Sequence, residues 1–323
     1  VAGLAADPTI GGAGFAFSGA MALTNNGLIS SQVSGRTITV KPDTFTNTGT
    51  LEATNGGSLA VPLGYTQTAG ITRLSGGGTI TALDPIVANK LNTITVGGGR
   101  LEGNGTIMAN VANSGTIAVS PGSAAGTLPI TGDLTLASTS ALQFEIGGPH
   151  PGVDFDTLSE AGSTALNLAG TLSVARLNGY LPAAVDALVI ISSNQPITGM
   201  FSNVVGGHVM ATDGVTSLRV SVVGNHVVLN LLDGDYNHNG IVDAADYTMW
   251  RDTMGQTGPR LAADGNGNNQ IDAGDYTVWK TNFGQVAGLG SGANASTIKS
   301  VPEPASILLL CMGLASVCAR QRH

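Results

Sequence analysis

The chain is predicted to be mainly β: a right-handed parallel β-helix, or solenoid, over residues 1–232, then a small α-helical module at 233–285, a flexible linker at 286–300 and a short hydrophobic helix within 301–323. Three observations predict this. Residues 1 to about 232 read as short β segments punctuated by Gly and Asn, with almost no 3.6-residue periodicity. At residue 233 the composition changes abruptly, and residues 233–285 hold eight of the 21 acidic side chains and both tryptophans. After residue 300 comes an apolar run with basic residues behind it.

Composition excludes several classes. With 47 glycines and only 11% charged residues in 323, the chain is no ordinary helical enzyme. Its 42% hydrophobic content argues against charge-driven disorder, and the glycines follow no strict period of three as collagen requires. A net charge of −8 argues against nucleic-acid binding, which needs a basic face to displace counterions from phosphate; cations are the expected charged partners. Cys311 and Cys318 both lie in the C-terminal apolar run, so neither a disulfide nor a thiolate metal site holds the body. The sequence opens on Val1 without a basic and apolar leader, the expectation for a removed signal peptide or a fragment.

In the body, Gly-Thr-(Leu/Ile) recurs at Gly49, Gly78, Gly105, Gly115, Gly126 and Gly170, and Gly57, Gly78 and Gly99 are spaced by 21 residues. A repeat of about 20 residues, built of short strands and tight Gly/Asn turns, is what a parallel solenoid needs to bend each coil and stack it on the next. Alternation in Leu142, Phe144 and Ile146, and in Leu166, Leu168, Leu172 and Val174, sends one face inward. Ser217 to Val223 and His226 to Leu232 flank Gly224-Asn225, a hairpin signature that predicts an antiparallel cap on the solenoid's open edge. Through Gly49-Thr50-Leu51, Gly105-Thr106-Ile107, Ser120-Pro121-Gly122-Ser123, Asp156-Thr157-Leu158, Gly170-Thr171-Leu172, Asn178-Gly179-Tyr180 and Gly199-Met200-Phe201, residues 40–205 resemble the β-helical repeats of autotransporter-associated proteins. The resemblance implies a fold and carries no catalytic residues.

The module opens with a twelve-residue loop, Asp235 to Asp246, that places oxygen side chains at positions 1, 3, 5, 9 and 12: Asp235, Asn237, Asn239, Asp243 and Asp246. Position 6 is Gly240, and position 7 offers the Ile241 carbonyl. Alternating short oxygen ligands, one main-chain carbonyl and a closing carboxylate are how an EF-hand-type loop wraps a hard cation. Twenty-nine residues later the pattern returns as Asp264, Asn266, Asn268, Gln270, Asp272 and Asp275, with Asn269 in place of the position-6 glycine. Asn tolerates positive φ next best, so the turn is feasible, and the second site is expected to be the weaker. Tyr247, Trp250 and Met254, and in parallel Tyr276, Trp279 and Phe283, form an apolar stripe on a short helix after each loop.

Two loop-helix units closed by Asp, with no entering helix, resemble a type I dockerin. That resemblance implies two calcium ions and a cohesin-like or other protein docking partner. Where cellulosomal members often carry Ser-Thr, this chain has Ala244-Ala245 and Ala273-Gly274, a departure that leaves the partner open. At the C-terminus, Val301-Pro302-Glu303-Pro304, the apolar run Ala305 to Ala319, and Arg320 and Arg322 resemble the PEP-CTERM sorting signal. It implies export, recognition of Pro302, Glu303 and Pro304, and processing by an exosortase-type enzyme. Fifteen apolar residues span about 22 Å as a helix, short of a bilayer core of roughly 30 Å; transient or anchoring membrane contact through the tail is expected.

No nucleophile elbow, phosphate loop or histidine metal spacing is present, and no catalytic residue is assigned. Asp154 and Asp156, flanking Phe155 with Glu160 nearby, are the one carboxylate set that could serve glycoside cleavage. His238, at a non-ligand loop position, is expected to face solvent. Together these readings predict an exported, non-catalytic cell-surface or extracellular-matrix protein, attached through the calcium module and contacting polysaccharide through the solenoid. The alternative is an extracellular polysaccharide lyase or glycoside hydrolase of the β-helix type.

Overall fold

A computed structural model describes residues 9–10, 21–122, 124–182, 186–259 and 261–286. The linker beyond residue 286, Pro302, Glu303, Pro304 and the apolar run expected to be helical all lie outside the described residues. The body is mainly β, with three parallel sheets running along it. In the first, eight strands stack in parallel from Thr9–Ile10 to Leu188–Ser193; the second has six strands, from Ala22–Asn25 to Leu134–Leu136, and the third seven, from Leu28–Ser31 to Thr171–Arg176. Successive strands in the chain step from sheet to sheet, so one coil contributes one strand to each, as a solenoid requires.

Register explains the composition. In the first sheet Ile38, Leu59, Ile80, Ile107 and Ile130 stand one above another, and in the third Leu101, Ile117, Leu142 and Leu172 do the same. From Leu59 to Ile130 and from Leu101 to Leu172 these side chains are at most 1% exposed. Alternate residues point outward, so each short strand needs only one or two apolar side chains and the rest can be Thr, Ser or Asn.

The glycines sit at the corners, and the copies of Gly-Thr-(Leu/Ile) divide between two of them. Gly78, Gly105 and Gly126 precede first-sheet strands; Gly49, Gly115 and Gly170 precede third-sheet strands. The carbonyls of Gly27, Gly49, Gly70 and Gly99 accept the N–H groups of Thr50, Ile71, Arg100 and Thr116 in the next coil, at 2.7–3.1 Å. A Cβ on Gly70, where φ is +71°, would stand 2.0 Å from the Gly49 oxygen, so this corner admits no side chain. Beside it runs an internal amide ladder: Asn25 Nδ2 donates to Asn47 Oδ1 at 2.8 Å, and Asn47 Nδ2 donates to Gln67 Oε1 at 3.2 Å.

The 21-residue spacing is real for one step only. Gly57 and Gly78 occupy the same corner, but Gly99 belongs to the other, and Gly105 is the residue stacked on Gly78. The excursion between Thr81 and Thr93, in which Asp84 accepts from the main chain of Ile86 and Val87 and from Lys90 Nζ, lengthens that coil and displaces the register.

At the C-terminal end the parallel order stops. Ser217–Val223 and His226–Asn230 form the expected hairpin, whose second strand pairs antiparallel with Leu188–Ser193 and caps the first sheet. The module follows, with α1 at Ala244–Thr253 and α2 at Ala273–Asn282. Its own small core gathers Leu232, Tyr236, Val242, Ala263, Ile271 and Trp279.

Candidate metal centre

The two loops repeat the same main-chain bonds to their first and last carboxylates, and the second adds a bond from Asn268 Nδ2 to Asp272 Oδ2 at 3.3 Å. Asp235 accepts the N–H of Asn239 at 3.1 Å and of Gly240 at 2.7 Å; Asp264 accepts those of Asn268 at 3.0 Å and Asn269 at 2.8 Å. At the far end, Asp246 accepts from Asn237 and Asp243 at 3.0 and 2.8 Å, and Asp275 from Asn266 and Asp272 at the same distances. Asp243 and Asp272 then cap α1 and α2, each closing a reciprocal capping box with the Asp three residues on. Gly240 has φ +85° and Asn269 +63°, so Asn269 makes the sharp turn expected of it.

Aromatic residues tie one unit to the other. Trp250 Nε1 donates to the Asp272 carbonyl at 2.7 Å, and Trp279 Nε1 to the Asp243 carbonyl at 2.8 Å. Each helix therefore holds the N-cap of its counterpart. Tyr247, Trp250, Tyr276 and Trp279 pack with ring centroids 5.0–6.1 Å apart, and Phe283 joins Trp279 at 5.1 Å, so these five rings are core packing, while Met254, expected to complete the first stripe, lies past the end of α1 and is exposed.

The electrostatics are unusual for so small a module. Asp235, Asp246, Asp264 and Asp275 are 0–7% exposed, and among the described residues none of them has a Lys or Arg ion-pair partner. Burial, followed by the charge of Asp246, pushes Asp235 up to about 6. Burial also raises Asp246, with the charge of Asp243 adding to it against main-chain N–H bonds that favour the ionised form. Among the described residues three or more His, Cys, Asp or Glu side chains do not close on one point, since the closing carboxylates turn to loop N–H groups. The other donors that could hold an ion are the carboxylates of Asp243 and Asp272, the amides of Asn237, Asn239, Asn266 and Asn268 and the main chain of Ile241 and Gln270. An all-oxygen set of this kind fits a hard cation.

His238 does not face solvent. It is 9% exposed, its carbonyl accepts the Ser217 N–H at 3.3 Å, and its Nδ1 is buried without a partner. Burial, with Arg176 nearby, holds the ring below the ordinary imidazole value. The contact joins segments distant in sequence, and loop spacing alone carries no sign of it.

The carboxylates singled out in the body are not assembled. Asp154 lies in a turn and pairs with His150 at the surface. Asp156 is fully buried, accepting the Gly126 N–H at 2.8 Å and the Glu145 N–H at 2.7 Å. Glu160, 2% exposed, is taken by Ser193 Oγ at 2.6 Å and the Gly162 N–H at 2.7 Å. The expected common strand face for Asp154 and Asp156 fails because the chain turns between residues 147 and 155, sending one carboxylate out and the other in.

A family model described as the PEP-CTERM protein-sorting motif matches residues 300–322. The motif indicates an exported protein, recognised by an exosortase-type processing enzyme and sorted through its C-terminus to the cell envelope. No curated protein is similar to this chain at a significant level. Among the described residues no helix is long and apolar enough to cross a membrane.

Proposed function

We propose that this is an exported, non-catalytic surface or matrix protein that attaches through a dockerin-like module at residues 233–285, which binds two calcium ions and docks on a cohesin-like or other protein partner. The observation that carries this is the set of four buried carboxylates, two per loop, with no cationic side chain against them among the described residues. Burying unpaired charge is costly, and a dication entering each loop removes that cost. Asp235, Asn237, Asn239, Ile241, Asp243 and Asp246 would hold the first ion, and Asp264, Asn266, Asn268, Gln270, Asp272 and Asp275 the second. Calcium supplies charge neutralisation and loop closure; the chain's own residues cap the helices and lock the units together through the tryptophans.

Stacked coils with glycine corners support reading the body as autotransporter-type repeats, an extended surface suited to polysaccharide. Calorimetry on the full chain is expected to show two calcium ions bound per molecule, with Trp250 and Trp279 emission changing saturably. Absence of uptake at millimolar calcium overturns the docking reading. For the tail, the expected outcome in the native host is mature protein lacking the segment from about Ala305 onward, read by mass spectrometry of surface extracts. An intact His323 would instead identify a retained anchor.

A further inference from the structure

We propose that the first loop is also a calcium-dependent clamp on the C-terminal cap of the solenoid, an inference that rests on the calcium reading above. The two loops share the main-chain bonds to their first and last carboxylates yet differ in what surrounds them. Position 2 is buried Tyr236 in the first loop and half-buried Gly265 in the second; position 4 is buried His238 against half-buried Gly267; position 6 is buried Gly240 against exposed Asn269. The burial on the first loop comes from both the second unit and the solenoid. Tyr236 Oη donates to the Asp275 carbonyl at 2.6 Å, while His238 reaches back to Ser217.

Ser217 is the first residue of the cap hairpin, and Asn230, paired with Arg219, ends its second strand. The first loop therefore begins five residues after the hairpin closes and bonds, through its fourth residue, to the residue where the hairpin opened. It shuts the hairpin's open end. On the other side Arg176, at the end of the last third-sheet strand, holds Asp213 at 2.5 Å and Thr216 Oγ1, so Ser217 is fixed between two anchors. A small, partly open pocket of about 70 Å³ between Leu181, Pro182, Leu231, Tyr236, His238 and Leu261 marks the seam.

Residues 235, 237 and 239 are ligands in the calcium reading and flank His238. Filling the first loop fixes the main chain that carries the His238 carbonyl, and so fixes the start of the hairpin. Because that hairpin covers the edge strand Leu188–Ser193, metal at the first loop governs how firmly the solenoid's edge is closed. Among the described residues the second loop makes no hydrogen bond to the hairpin, and filling it is expected to leave the cap unchanged.

Hydrogen exchange on the full chain, with calcium and with chelator, tests this at the amides of Ser217–Val223 and His226–Asn230. Exchange that proceeds by opening of the clamp is expected to slow by up to about 100-fold at free calcium about 100 times the dissociation constant. Asp264→Ala is expected to preserve this slowing and Asp246→Ala to abolish it. Calorimetric uptake of calcium by the unaltered chain with unchanged cap exchange overturns the clamp and leaves the calcium reading standing. Loss of the slowing in Asp264→Ala also overturns it, since protection would then belong to the whole module. No calcium uptake at all overturns both. The comparison within the unaltered chain needs no variant to fold.

Discussion

The solenoid and the module solve the same problem, how to keep a chain of short elements ordered, by opposite means. In the solenoid, order is spread along an axis: each coil satisfies its neighbour's main chain, and each of its strands adds one or two apolar side chains to a continuous interior. In the module, order is concentrated in two loops and a cluster of rings, and the charge inside is left for something else to neutralise. A repeating main-chain lattice needs no outside component. A module of about fifty residues, which supplies five of its six buried core side chains and takes Leu232 from the body, has far less apolar burial to draw on.

The largest expected effect separates the two directly. Chelating calcium should remove about 5 kcal/mol from the module, at about 2.7 kcal/mol for each ion held at 100 times its dissociation constant. Trp250 and Trp279, the only tryptophans, should report that transition, while the β signal of the body in far-ultraviolet dichroism stays unchanged. A coincident melt of both signals would break the comparison. Next in size, Gly70→Ala should cost about 4 kcal/mol, because the new methyl group meets a carbonyl of the preceding coil at positive φ. Thermal unfolding followed by dichroism reads this loss, which should be the same with and without calcium.

A pH effect should be readable in the body as well, at a carboxylate remote from both loops. Burial pushes Asp156 from 3.8 up to about 7, ahead of the two N–H bonds that oppose it. The folded state then holds the proton more tightly than the unfolded one, so the stabilisation is present below about pH 4 and lost as pH rises to about 7. The difference is on the order of 3 kcal/mol, seen in denaturant midpoints across that window and flattened in Asp156→Asn. The smallest effect sharpens the contrast between the loops. Asn269→Gly should relieve up to about 1 kcal/mol of positive-φ cost and tighten the second site about fivefold by calorimetry.

Local features were legible in the sequence; contacts between distant segments were not. Gly-Thr-(Leu/Ile) marks strand entry at six corners because a tight turn and an inward aliphatic residue are both local demands. The loop pattern shows which residues repeat, because turn geometry and capping are set within twelve residues. What failed depended on three dimensions. Gly99 keeps the spacing but not the corner, since an insertion before Thr93 shifted the register. Asp154 and Asp156 keep the spacing of a strand face but lie across a turn. His238 meets the cap through its main chain, which no side-chain pattern announces.

The crossed tryptophan bonds have a consequence for ancestry. Since Trp250 donates to the Asp272 carbonyl and Trp279 to the Asp243 carbonyl, a solitary loop and helix would lack both the donor for its own N-cap and the acceptor for its own indole. A gene encoding one unit could complete the arrangement only by pairing two identical chains about a twofold axis. The tandem copy has the crossed bonding of such a dimer within a single polypeptide, and a single polypeptide lets the halves differ, Tyr236 and His238 facing inward in one where the other has Gly265 and Gly267.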